Sequence, residues 1–137
     1  MTPTEVAQEI WAKMRATENA NGDYTRAHWY YTAAEHRDDF IEVVAAALAD
    51  GVITAQEMHG LWKTHAEGKG WAYGETRNFN RKVSPAIMDF ADIPTREKQV
   101  FDTALTETKT YESTLSKTEL DAIKLLRPTK GAELKVT

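Results

Sequence analysis

The chain has 137 residues, 42% hydrophobic and 28% charged, with 17 Lys and Arg against 21 Asp and Glu, a formal net charge of −4. That length suits one globular domain, and the acidic balance argues against a general nucleic-acid binder, which usually carries a basic surplus. There is no cysteine, which excludes disulfides, thiolate metal sites, iron–sulfur clusters and thiol nucleophiles. Thr2-Pro3 opens the first predicted helix, a Thr cap with Pro at the first helical position, and Val6, Ile10, Trp11 and Met14 recur at helical spacing. Asn19-Ala20-Asn21-Gly22-Asp23 ends it. Trp29-Tyr30-Tyr31 reads as a short connection. A second helix is predicted from Thr32, which has capping-box spacing to Glu35, with an apolar face of Phe40, Ile41, Val43, Val44, Ala47 and Leu48 closed by Asp50-Gly51. Thr54 and Glu57 repeat the capping-box spacing and open a third helix, with Met58, Leu61, Trp62 and His65 on one face. Gly68 and Gly70 stop it. Trp71-Ala72-Tyr73 alternates like a short strand, Glu75 to Pro85 reads as a polar loop, and Ile87 to Phe90 is a second short apolar run.

Ile93-Pro94-Thr95 introduces a fourth helix carrying Val100, Phe101, Ala104, Leu105, Thr108 and Tyr111, and Ser116 with Glu119 caps a fifth that ends at Arg127-Pro128. The prediction is therefore a mostly helical α+β fold of four to five helices with short β-strands. It forms a single domain over residues 1–128, with a flexible tail over 129–137. No run approaches the roughly 20 apolar residues of a membrane span. Met1-Thr2-Pro3-Thr4-Glu5 lacks the basic-then-apolar pattern of a secretory leader, so a cytoplasmic protein with no membrane partner is expected.

The net charge hides an asymmetry. From Lys63 to Lys82 stand five basic residues (Lys63, Lys69, Arg77, Arg81, Lys82) and two acidic ones (Glu67, Glu75). That segment is +3, and the remainder of the chain is −7. It also holds Gly68, Gly70 and Gly74 with Trp71, Tyr73 and Phe79. A cationic, aromatic, glycine-rich segment in an acidic chain points to a local anionic ligand, and a solvated loop with structural aromatics would give the same composition. Gly68-Lys69-Gly70 is neither a P-loop nor a GxGxxG. None of His28, His36, His59 and His65 falls into HExxH or another close ligand spacing, and His36-Arg37-Asp38-Asp39 reads as a charged helix surface, so no metal site and no cofactor are expected. No Ser lies near a His in sequence and no carboxylate pair is singled out, so no catalytic residue is assigned. If the protein were an enzyme, His59 or His65 would be the first acid–base candidates.

His59-Gly60-Leu61-Trp62, Gly70-Trp71-Ala72-Tyr73-Gly74, Arg77, Arg81-Lys82, Pro85, Phe90 and Ile93-Pro94 ahead of a helix resemble the RyR domain, the repeat named for ryanodine receptors. That domain reads approximately as H-x-x-W, G-W-x-Y-G, a basic stretch, H-P, an apolar run and L-P, and it also occurs as a small free-standing protein in bacteria and phages. The resemblance covers Thr54 to Tyr111. Ser84-Pro85 stands in place of His-Pro, and Glu75-Thr76 replaces a Pro-Val type pair. The resemblance implies a compact α+β unit that binds adenine nucleotides. It places the stacking role on Trp62 and the pocket wall on Trp71 and Tyr73, with His59 of the same motif counted in the ligand set. Arg77, Arg81 and Lys82 are assigned to phosphate on their charge. Met58 shares a helical face with Trp62, and the sequence leaves open which of the two is core.

The leading expectation is a non-enzymatic module for an adenine-containing nucleotide or a cyclic or ADP-ribose-type signal, sequestering it in phage counter-defence. The alternative is a protein-interaction or assembly module on the same fold, forming a homo-oligomer without a nucleotide ligand.

Overall fold

The computed structural model describes residues 2–52 and 54–125. It is mostly helical, with five α-helices and one two-stranded parallel sheet among the described residues. The helices are α1 (Pro3–Ala20), α2 (Ala34–Asp50), α3 (Ala55–Gly68), α4 (Thr95–Thr114) and α5 (Lys117–Lys124), and the strands are β1 (Ala72–Tyr73) and β2 (Val83–Ser84). None of the described helices is long and apolar enough to cross a membrane. The predicted end of α5 at Arg127-Pro128, the domain boundary at 128 and the tail over 129–137 lie outside the described residues.

Local chemistry accounts for most helix starts. The Thr2 hydroxyl accepts from the Glu5 N–H, and the Glu5 carboxylate accepts from the Thr2 N–H. Thr54 with Glu57 and Ser116 with Glu119 repeat this reciprocal pairing, which satisfies donors that a helix start leaves unpaired. The second helix departs from expectation. It begins at Ala34, and Ala33 in the cap position supplies no side-chain bond. The Thr32 hydroxyl instead donates to the His28 carbonyl at 3.0 Å, and the Glu35 carboxylate pairs with Lys82 at 2.6 Å. The physical reason is the preceding 3-10 turn, Trp29–Tyr31, which buries Trp29 edge-on against Trp11 and Phe40. That anchoring of the chain just before α2 draws Thr32 into the turn.

The core is built on α1, which packs along α4, while α2 and α3 close against this pair. Val6, Ile10, Trp11 and Met14 of α1 meet Val100, Phe101 and Ala104 of α4 and Phe40, Val44 and Leu48 of α2 in one buried cluster. Each such side chain contributes roughly 1.5–3 kcal/mol by leaving water. Between α3 and α4 the chain crosses the face of this bundle as β1, a nine-residue connection over 74–82, and β2.

That crossing corrects the reading of Glu75 to Pro85 as a polar loop. Ala72 pairs with Val83 and Tyr73 with Ser84, Asn78 and Val83 exchange backbone hydrogen bonds, and Ser84 and Pro85 are buried. Two glycines of the Gly70–Gly74 element have structural causes. Gly70 has φ +91°, a left-handed backbone that L side chains rarely adopt. At Gly74 a Cβ would lie 2.7 Å from the Val83 Cβ, so only glycine allows β1 and β2 to close.

Candidate functional site

Two aromatic groups face each other across the bundle. On one side Trp11, Phe40, Phe79, His36 and Trp71 pack edge to face or tilted, with ring centroids 5.2–6.0 Å apart. On the other, Trp62 sits 5.4 Å from Phe101 and 6.2 Å from His59. Between them lies a narrow recess of about 50 Å³ that opens to solvent. Trp62, Trp71, Phe79 and Trp11 supply its flat surfaces, and Arg26, Arg77, His36, His65, Asp39 and Lys69 supply its polar ones. An adjoining, roomier recess of about 470 Å³ shares Trp11, His36, Arg77 and Phe79 and adds Thr25, Thr32, Asn78 and Asn80. Flat aromatic walls with a few convergent polar groups are the usual construction of a small-molecule site.

The structure brings three of the sequence-predicted residues to this recess: Trp62, Trp71 and Arg77. Trp62 is half-buried at the lip, whereas Met58 on the same helical face is core, which answers the question the sequence left open. The other four lie outside its lining. Tyr73 is exposed on β1. His59 is buried, with Nε2 2.9 Å from the Ala86 carbonyl and its ring against Phe90 and Phe101. Burial pushes its pKa below the usual histidine range, although the bond to Ala86 pulls the other way. Arg81 is exposed beside the turn, where its N–H donates to the Asn78 side chain. Lys82, at a left-handed φ of 53°, reaches Glu35 at 2.6 Å and the Lys69 carbonyl at 3.2 Å.

The phosphate assignment of the basic segment meets a specific obstacle in the ion pairs. Arg77 is buried and pairs with Glu18, Asp23 and Glu97. Burial works against its charge, but the Glu18, Glu97 and Asp23 carboxylates outweigh that and raise its pKa. Lys63 pairs with Glu67, Lys69 with Asp39 and Glu42, and Lys82 with Glu35. Of the five basic residues in the segment, only Arg81 makes no ion pair among the described residues. The charge asymmetry along the sequence is thus largely neutralised in space by acids from α1, α2 and α4.

Several lining residues carried no sequence signal as site residues. Arg26 is buried, bonds Glu18 through Nε at 2.6 Å and lies 4.3 Å over the Trp11 ring, a stacked guanidinium that only the fold assembles. His36, in the stretch read as a charged surface, is buried against Trp71 and Phe79, and Asp39 of the same stretch is half-buried at the recess. The three-residue step from Asp39 to Glu42 puts both on one side of α2, and His65 faces them from α3. One ligand-type atom from each lies within 4.8 Å of the other two.

No protein-family model matches the chain, and no solved structure matches it. The recess itself is therefore what speaks for function.

Proposed function

We propose that the protein is a non-enzymatic small-molecule-binding module that takes an adenine-containing nucleotide, or a signal derived from one, with the base against the aromatic surfaces at the mouth of the Trp62–Trp71–Phe79 recess. The observation that carries this is the set of indole and phenyl surfaces converging on one recess with an acceptor, Asp39, at its wall. An aromatic face against a base is worth about 1–3 kcal/mol, and a carboxylate can accept from the exocyclic amine of adenine. The ribose and phosphate would extend into the adjoining recess, where Thr25, Thr32, Asn78 and Asn80 offer neutral donors. Because Arg77 and Lys82 already serve carboxylates, the base leads recognition in this reading and phosphate follows. The resemblance to the RyR pattern supports the same ligand class and the same stacking residue, and it suggests sequestration of a nucleotide signal in phage counter-defence as the setting.

Calorimetric titration with adenosine, AMP, ADP-ribose and cyclic dinucleotides tests the proposal. We expect Trp62→Ala and Trp71→Ala each to weaken binding about tenfold to a hundredfold with the helical circular dichroism retained, and Tyr73→Ala to leave it unchanged. Silence across the panel, or equal loss from Tyr73→Ala, would overturn it.

One observation favours the assembly reading instead. Tyr24, Tyr30 and Tyr31 are 74, 70 and 86% exposed around the turn before α2, and exposed tyrosines are common interface anchors. Sedimentation would then show a dimer that Tyr31→Ser weakens; a monomer at every concentration removes this reading.

A further inference from the structure

A buried imidazole nitrogen without a hydrogen bond needs a reason, and His65 has one. Its Nε2 is shielded from solvent and makes no hydrogen bond, yet it lies 3.5 Å from Glu42 Oε2 and 3.9 Å from Asp39 Oδ1. Two donors each about 2.1 Å from a tetrahedral ion stand about 3.4 Å apart. The His65–Glu42 separation is close to that value, whereas His65–Asp39 is 3.9 Å and the three atoms lie within 4.8 Å of one another, so an ion would draw the carboxylates inward. Both carboxylates project from α2 and the imidazole from α3, so the ligands come from rigid helices rather than from a loop. A cation is drawn to the same spot within the chain: the Lys69 ammonium stands 3.6 Å from Asp39 and 4.0 Å from Glu42. That side chain is 44% exposed and can swing into solvent.

We propose that Asp39, Glu42 and His65 form a site for a divalent transition-metal ion, Zn²⁺ or Mn²⁺, with Lys69 as its internal competitor. One imidazole and two carboxylates suit these ions better than Ca²⁺ or Mg²⁺, which prefer all-oxygen shells. Asp39 and His65 also line the aromatic recess, so the ion would present its remaining coordination position there.

The test is calorimetric titration of the chelator-stripped full chain with ZnCl₂ and MnCl₂, with MgCl₂ alongside and no nucleotide present, so that it stands apart from the ligand proposal. We expect one Zn²⁺ or Mn²⁺ per chain and weaker binding of Mg²⁺. His65→Ala should weaken binding at least about tenfold, and Glu42→Gln should do so in a variant that keeps the fold because Glu42 lies at the surface edge of the cluster. Lys69→Ala should tighten binding by removing the competing ammonium. Added Zn²⁺ should raise the thermal midpoint of the wild type but not of Glu42→Gln. No binding of Zn²⁺ or Mn²⁺, or binding that survives both His65→Ala and Glu42→Gln unchanged, would overturn the proposal.

Discussion

Two charged clusters flank the aromatic recess, and they are built on different terms. Toward α1 and α4, Arg77 is buried among Glu18, Asp23 and Glu97, and Arg26 bonds Glu18 through two of its nitrogens. Toward α2 and α3, His65, Asp39, Glu42 and Lys69 lie within ion-pairing distance, but at 3.5–4.0 Å and with solvent at their edge. In the first cluster the partners come from the loop that follows β1, from α1 and its end, and from α4, so the charges fasten the crossing segment to the bundle. In the second the groups are near one another without completing their hydrogen bonds. A buried charge must be satisfied from within the chain, because desolvation costs several kcal/mol per ion. A half-buried one can wait for a ligand. The difference separates residues that hold the site in place from residues with capacity to bind something.

The largest way to break that distinction is to remove one charge from each cluster. Arg77→Met leaves carboxylates buried without their cation, and urea denaturation should show a loss of about 3–5 kcal/mol. Glu42→Gln removes a half-exposed partner whose pairs are long, and such pairs contribute about 0–1 kcal/mol, so its unfolding midpoint should stay near that of the wild type. Equal losses in the two variants would mean that both clusters are structural. Glu97 qualifies the first cluster further. Burial raises its pKa, and Arg77 does not fully offset this with Glu18 and Asp23 close by. Asp23 responds in the opposite sense: burial raises it, but bonds from the Thr25 hydroxyl and backbone N–H, followed by Arg77, hold it low.

What the sequence disclosed, and what it hid, follows the range of the interactions. The capping pairs Thr54–Glu57 and Ser116–Glu119 span three residues and were legible, as were the apolar faces of α1 and α4, because a helix writes its contacts into a short period. Thr32–Glu35 has the same spacing and does not cap, since the burial of Trp29 against Trp11 and Phe40 in the turn just before it outweighs a bond worth about 1 kcal/mol. Arg77 was visible as a charge in a basic segment, but its partners lie 54 residues away at Asp23 and 20 away at Glu97, and no local pattern reports them. Gly74 was visible as part of a motif; that it exists to admit Val83 was not. Of the recess, the sequence identified Trp62, Trp71 and Arg77 and missed Arg26, His36 and, at its wall, the Asp39–Glu42–His65 group. The last is a product of α2 packing against α3, and its signal in sequence is limited to the three-residue step from Asp39 to Glu42.

The finest probe of the comparison is the titration of His65 itself, followed by the imidazole carbon-bound proton resonances in metal-free protein. Burial lowers its pKa, Glu42 and Asp39 pull it up, and Lys69 pulls it down again. The wild-type midpoint should therefore fall below the usual histidine value of about 6.5. Lys69→Ala should move it upward, and Asp39→Asn should move it further down. The sign for stability follows from linkage. A base whose folded pKa is depressed binds its proton more readily when unfolded, so its contribution is present above the unfolded value and is lost as pH falls through the folded one. Acidification below about 6.5 should accordingly lower the unfolding midpoint of the wild type, and more steeply than that of a His65→Gln variant, which has no proton to gain there. A His65 midpoint above the usual value, insensitive to Lys69→Ala, would place the imidazole in a completed ion pair. It would also erase the contrast with the Arg77 cluster, because both would then be satisfied from within.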